Sequence, residues 1–225
     1  MRKALGVLSL FVALSCSASG QTAFKPPEVT RAGSAYVQYY APITDGLFVF
    51  DVAVSGKGDI EQIDVLRNPG SLLGAAEDAI RSWEFQPALE HGTPASARLT
   101  VAFVYRPADY GGAGAVPPSH FVPVVPRSQK ERGSDDVPVG ILSFDYPERP
   151  VNSVASGSAV LQVSVSSSGA VTDVEFLHEM PGFDNVFRDA LKKWRFRPAQ
   201  LDGTPISAKI VIVFNVEPAA PYNLN

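Results

Sequence analysis

The run DALKKWRFRPAQLDGTP, at residues 189–205, has a close copy 111 residues earlier, the run DAIRSWEFQPALEHGTP at residues 78–94. Each run begins with a helix-like pattern, alternates aromatic and polar residues after a tryptophan, and ends in a Gly-Thr-Pro turn. Both tryptophans of the chain, Trp83 and Trp194, occupy the same position in the two runs. The chain therefore contains a tandem repeat, and both copies are expected to share one fold.

The repeat extends beyond these runs without a gap. When residues 46–106 are aligned with residues 157–217, 19 of the 61 positions are identical. Ordinary composition would give about four identities by chance. We predict a first repeat over residues 36–106 and a second over residues 144–218.

Each copy starts with two strands joined by a tight turn. In the second copy, Leu161, Val163 and Val165 alternate with polar residues, which predicts a half-buried strand. A Ser-Ser-Gly turn at 167–169 follows, and residues 171–177 are predicted to form a second strand, so the pair is a hairpin. The first copy has the same pattern around its turn at residues 55–58.

A helix and a long strand complete each copy. Apolar residues recur at spacings of three and four from Phe183 to Trp194, and residues 71–82 follow a similar pattern with Ser71 as a helix cap. Alternating strands follow at residues 99–105 and 206–216. The predicted fold is α+β: two tandem β-β-α-β units, each a three-stranded antiparallel sheet in the order two-one-three with a helix on one face.

The rest of the chain predicts an exported protein. Arg2 and Lys3, an apolar run over residues 4–14 and small residues after it predict a signal peptide at residues 1–20. The apolar run is shorter than the roughly 20 residues that span a bilayer. Two interpretations of Cys16 remain open, lipid attachment and cleavage beyond it. Residues 107–143 are rich in proline and glycine and are predicted to be a linker.

Composition narrows the classes of function. A net charge of −4 argues against a nucleic-acid partner. One cysteine and three scattered histidines predict no metal site and no bound cofactor. No serine lies in a nucleophile elbow, so we do not expect an enzyme. The two tryptophans and the aromatic residues that follow them are predicted to be core residues.

Several motifs of the second copy belong to one known pattern. They are the Tyr-Pro pair at 146–147, the hairpin at 163–171, and above all the helix that ends in Trp-Arg-Phe-Arg-Pro-Ala at 194–199. This copy resembles the C-terminal domain of TonB-family proteins, and the first copy departs from it by carrying Glu84 after its tryptophan. The resemblance implies a periplasmic domain that contacts outer-membrane transporters by adding an extended transporter segment to its last strand. Because the N-terminal apolar run is short, we expect a module that does not transmit force.

An exposed last strand fits this mode of binding, since its unpaired amide and carbonyl groups can accept another strand. The predicted partner-binding residues are Arg98, Leu99, Thr100 and Val101 in the first copy, and Ile206, Ser207, Ala208, Lys209, Ile210, Val211, Ile212 and Val213 in the second. The partner is expected to be a transporter or another envelope protein.

Two alternatives remain open. The copies could pair edge to edge, within one chain or as a homodimer, and form an envelope scaffold without a transporter client. A weaker alternative is a cell-wall ligand module that uses the polar sheet face around Gln162, Ser164 and Thr172.

Overall fold

The computed structural model describes residues 24–36, 46–68, 73–105, 120–124, 136–148, 150 and 153–217. The predicted signal peptide and Cys16 lie outside these residues. Within them, the first half of the chain forms nine elements in sequence, which are β1 (Phe24–Lys25), β2 (Glu28–Arg31), β3 (Leu47–Val54), β4 (Ile60–Arg67), α1 (Leu73–Arg81), β5 (Glu84–Gln86), β6 (Ala88–Glu90), β7 (Thr93–Ala95) and β8 (Ala97–Tyr105).

The second half repeats this series almost element for element. Its described elements are β9 (His120–Val124), β10 (Gly140–Phe144), β11 (Gly157–Val165), β12 (Val171–His178), α2 (Asp184–Lys193), β13 (Arg195–Arg197), β14 (Ala199–Leu201), β15 (Thr204–Ile206) and β16 (Ala208–Val216). The class is α+β, mostly strand. The three short strands between helix and last strand in each half were not predicted, because runs of three residues carry too little periodicity.

The main hairpins close through a serine and a glycine. In the second half, the Gly169 N–H donates to the Ser166 carbonyl at 2.9 Å, and Gly169 has a φ of 83°. A Cβ at Gly169 would lie 2.5 Å from the Phe196 carbonyl oxygen of β13. Gly58 has the same relation to the Phe85 carbonyl oxygen in the first half. The turn therefore needs glycine for its backbone conformation and for its close contact with the chain beyond the helix.

The long strands form one six-stranded sheet in the order β12-β11-β16-β8-β3-β4. Strand pairs within each half are antiparallel, and the pair that joins the halves, β16 and β8, is parallel. The join runs from Ile210 opposite Thr100 to Asn215 opposite Tyr105. The last strands of the two repeats therefore meet at the centre of the sheet, and the second strands, β4 and β12, form its outer edges.

The two helices lie on opposite faces of this sheet. The core beneath α1 includes Val101 of β8, and the core beneath α2 includes Ile212 of β16. Equivalent residues of the two repeats thus face opposite sides of the sheet. Residues that lie opposite each other in adjacent strands, however, face the same side. In the pairing of β16 with β8, equivalent residues therefore cannot lie opposite each other, and the register must be shifted from that alignment by an odd number of residues. Ile210 is the equivalent of Leu99, yet it lies opposite Thr100, a displacement of one residue.

The segment ahead of each repeat crosses over and covers the sheet of the other. The stretch 24–36 pairs with β5 and β6 and buries Val29 and Ala32 in the same core as Val211. In the same way, the stretch 136–146 places Val139 in the same core as Ala102. Each half of the chain thus completes the hydrophobic core of the other.

These crossing segments differ from the predicted domain boundaries. β1 and β2 precede residue 36, where the first repeat was predicted to begin, and β9 and β10 lie in or across the end of the predicted linker 107–143. The proline-rich and glycine-rich composition of the linker concealed β9 and β10, and strands as short as β1 and β2 show no clear alternation.

Candidate partner-binding site

The residues predicted to form partner-binding edges lie inside the sheet. β16 is paired with β11 on one side and with β8 on the other, and β8 is paired with β16 and β3. The prediction that these strands present an open edge is therefore wrong for Thr100, Val101, Ile210, Val211, Ile212 and Val213, which lie in the parallel join. Arg98, Leu99, Ala208 and Lys209 precede the join in the same two strands, and Ile206 and Ser207 precede β16.

A signal of this arrangement was present in the sequence. Val211 and Val213 occupy the positions between Ile210, Ile212 and Phe214, so β16 is apolar on both faces. Such a continuous apolar run is typical of a strand buried on both sides of a sheet, not of a strand with one solvated face.

The two cations of the predicted edges are engaged within the chain. Arg98 forms ion pairs with Asp51 at 2.8 Å and Asp64 at 2.6 Å, and its side chain is 8% exposed. Lys209 forms an ion pair with Glu28 of the crossing segment. Neither side chain is thus placed to receive a partner.

The open backbone edges of the six-stranded sheet are its second strands. Among the residues that the structure describes, no strand pairs with the outer side of β4 or of β12. Both strands carry exposed acidic side chains, Glu61 on β4 and Asp173 on β12. Charges on an edge strand discourage indiscriminate pairing while leaving its amide and carbonyl groups available.

A groove of about 960 Å³ lies between β12 and α2. Apolar side chains that belong to the core beneath α2 or pack against it line the groove, namely Val171, Val174, Leu191, Trp194 and Phe196. The hairpin turn at residues 168–170 and the strand residues 142–143 also border it. An open strand edge and an apolar floor thus lie side by side.

Three exposed cations line this groove: Arg188, Lys192 and Arg195. Arg188 Nη1 donates to the Val174 carbonyl at 3.0 Å, and its guanidinium lies 4.8 Å from the centroid of the Phe176 ring. Arg195 Nη1 donates to the Trp194 carbonyl at 2.9 Å. In the part of the chain that the structure describes, neither arginine has a carboxylate partner, so their positive charge is not neutralised.

The same positions of the first repeat carry a balanced set of charges. Glu77 is the equivalent of Arg188, Arg81 of Lys192, and Glu84 of Arg195. Arg81 and Glu77 approach to 4.0 Å, and Glu84 forms an ion pair with Arg31 of the crossing segment. The repeats thus share a backbone and differ in the charge beside their outer strands.

A family model described as Gram-negative bacterial TonB protein C-terminal matches residues 44–107 and 143–216. The chain belongs to the family of TonB C-terminal domains. Comparison with curated proteins and with solved structures found no match. TonB C-terminal domains are periplasmic in Gram-negative bacteria, and they interact with outer-membrane transporters.

The tryptophans that mark the two TonB C-terminal repeats lie in the core, as predicted. Trp194 Nε1 donates to the Asp145 carbonyl at 3.0 Å, which ties the end of α2 to the crossing segment. Trp83 Nε1 is buried and meets no acceptor among the described residues. These side chains hold each helix against the sheet, and Trp194 also lines the groove.

The described parts of both TonB C-terminal repeats contain no group of three or more histidine, cysteine, aspartate or glutamate residues that could hold a metal ion. None of their helices is long and apolar enough to cross a membrane.

Proposed function

We propose that this TonB C-terminal-like chain is a periplasmic protein-binding module, not an enzyme, that takes up an extended segment of an envelope protein along an outer edge of its sheet. The observation that supports the proposal is the parallel join of β8 and β16, which leaves β4 and β12 as the open edges of the described sheet. A strand that approaches such an edge gains main-chain hydrogen bonds, and neighbouring pockets give specificity.

Of the two edges, β12 is the better supported. It is 8 residues long, and the groove beside it offers an apolar surface for the alternate side chains of an added strand. In this arrangement the bound segment would lie between β12 and α2, with its backbone paired to β12.

A second candidate function is an envelope scaffold without a client. The parallel join supports it as well, since the last strands of the two repeats pair with each other inside one chain. In that case the tandem repeat serves to form the shared sheet, and the groove beside β12 binds no partner.

Photo-crosslinking in intact cells tests both candidates. The probe is placed at Thr172 of β12, at the equivalent Glu61 of β4, and at Lys209, which pairs with Glu28 inside the protein. We expect the edge probes to capture segments of envelope proteins and the Lys209 probe to react within its own chain. If Thr172 and Glu61 capture no other protein, the binding module is rejected in favour of the scaffold.

A further inference from the structure

We propose that the groove between β12 and α2 selects an extended segment that turns acidic side chains towards α2, and that the first repeat has no such site. This inference rests on the proposed function and specifies the chemistry of the partner. It follows from the backbone edge, the groove floor and two arginines without a carboxylate partner, Arg188 and Arg195, which lie together in the second repeat alone among the described residues.

The backbone requirement is met by β12. Because the Val174 carbonyl accepts its hydrogen bond from Arg188, this carbonyl points away from β11 and towards the groove side of the sheet. The N–H of the same residue points the same way in an extended strand. An added strand can therefore pair with β12 at Val174 without disturbing the hydrogen bonds between β12 and β11.

The side chains of an added strand would divide between the two faces of the sheet. Successive residues of a strand point to opposite faces, so every second side chain would turn towards α2, where the apolar floor and the cations both lie. Residues of the other set would turn to the opposite face, away from these cations. Acidic residues in the first set would therefore meet the cations beside the apolar floor.

The charge of the rim is specific to this groove. The chain as a whole has a net charge of −4, whereas three cations and one carboxylate, that of Asp173, line this groove. One of the cations, Lys192, is paired with Asp189. In the first repeat, Glu77 and Glu84 replace two of these cations and form ion pairs with Arg81 and Arg31. Charge complementarity therefore predicts an anionic partner at the second repeat and gives no preference at the first.

Arg188 links the two requirements. In the structure its guanidinium donates a hydrogen bond to the Val174 carbonyl, which is one of the groups that an added strand needs. A strand that pairs at Val174 displaces Arg188 from that carbonyl, and a carboxylate on the strand offers the guanidinium a charged acceptor, which binds more strongly than a neutral one. A strand without acidic residues displaces Arg188 without this compensation.

The concave shape and the open strand edge favour a peptide over an anionic membrane surface. A bilayer would meet the exposed cations but could pair with neither the Val174 main chain nor the recessed apolar floor. An anionic lipid surface is therefore treated as a competing outcome of the test.

The test measures peptide binding to the full chain by fluorescence anisotropy. The probes are two labelled peptides of about ten residues, one alternating valine with glutamate and one with glutamine in place of glutamate. We expect the glutamate peptide to bind about tenfold more tightly, and this preference to decrease as salt is raised. Equal affinity for both peptides would overturn the inference.

Charge-reversal variants locate the site. Lys192→Glu combined with Arg195→Glu is expected to abolish the preference for the glutamate peptide, whereas Arg81→Glu, at the first-repeat equivalent of Lys192, is expected to leave it unchanged. Val174→Pro removes an N–H that points away from β11, and it is expected to weaken the binding of both peptides. Thermal unfolding of each variant confirms that it is folded before its binding is interpreted.

Three outcomes separate this inference from the proposed function. If the preference for the glutamate peptide survives charge reversal at Lys192 and Arg195, the site that binds acidic residues lies elsewhere and the inference is rejected. Crosslinks from Thr172 to segments without acidic residues reject it as well, but retain the binding module. If neither peptide binds, but the protein binds phosphatidylglycerol vesicles and the charge reversal abolishes that binding, the inference is rejected in favour of a membrane surface.

Discussion

Lys209 on β16 forms an ion pair with Glu28, which lies 181 residues earlier in the chain. Glu28 also accepts a hydrogen bond from Lys25 Nζ at 2.9 Å. Burial raises the pKa of the Glu28 carboxyl, but its hydrogen bonds with Lys209 and Lys25 outweigh burial and hold that pKa below its usual value. The crossing segment of the first repeat is thus fastened to the last strand of the second.

This ion pair predicts a pH dependence of stability. Because the pKa of Glu28 is lower in the folded protein, its contribution is fully present above its unfolded pKa and is lost as pH falls through the folded value. We expect Glu28→Gln to be less stable than the wild type near neutral pH and to lose less stability on acidification to about pH 3. Urea unfolding at both pH values measures the difference.

Glu179→Gln is the matched control for this prediction, since Glu179 is exposed. It should reproduce the pH dependence of the wild type. A Glu28→Gln variant whose stability decreases as steeply as that of the wild type would show that the ion pair does not contribute in solution.

The crossing segments predict that neither half folds alone. Residues 24–105 lack the second-half partners of Val29, and residues 136–217 lack the first-half partners of Val139. We expect each half, produced separately, to show no cooperative unfolding, and a mixture of the two to recover the circular dichroism of the intact chain. Cooperative unfolding of either isolated half would contradict this prediction.

Arg98 is predicted to be essential for stability. Its side chain and that of Asp51 are 8% and 7% exposed, so removing the cation leaves a buried carboxylate without its ion pair. We expect Arg98→Met to lower the free energy of unfolding by about 3–5 kcal/mol, measured by urea unfolding. Lys192→Met, which removes an exposed ion pair with Asp189, should cost less than about 1 kcal/mol.

A double variant tests the cause of this loss. Asp51→Asn in the Arg98→Met background removes the buried charge and is expected to restore part of the stability. No recovery would indicate that the lost packing of the arginine side chain dominates.

Gly169 and Gly182 allow backbone strain to be separated from steric contact. Their φ angles are 83° and 85°, but a Cβ would lie 2.5 Å from a carbonyl oxygen at Gly169 and would meet nothing within 4 Å at Gly182. We expect Gly182→Ala to lower stability by about 1 kcal/mol through strain alone. Gly169→Ala should cost clearly more in thermal unfolding, and equal losses would mean that the turn adjusts without cost.

The interpretation of the groove depends on comparing the two repeats residue by residue. The sequence shows that Arg195 is replaced by Glu84 in the first copy, but it does not show that Glu84 pairs with Arg31. That pair forms because the crossing segment brings β2 beside β5, with Arg31 opposite Glu84. The difference in charge between the two edges could thus be predicted only in part.

The sequence by itself determined the tandem repeat, its hairpins and its helices, because these depend on contacts between residues close in the chain. The periodicity of apolar residues placed α2 within one residue at either end, and the positions of glycine marked the turns. The same local patterns indicated the family and the core position of Trp83 and Trp194.

Only the tertiary structure decided which edges remain open. The parallel join, the opposite placement of the helices and the crossing of segments 24–36 and 136–146 each depend on residues far apart in the chain. Main-chain hydrogen bonds are the same for every strand, so a pattern along one strand shows that it can pair but not with which strand it does. The choice of β8 and β16 as partners, and thus of β12 as the open edge, arises from burying the second apolar face of each strand beneath the other repeat.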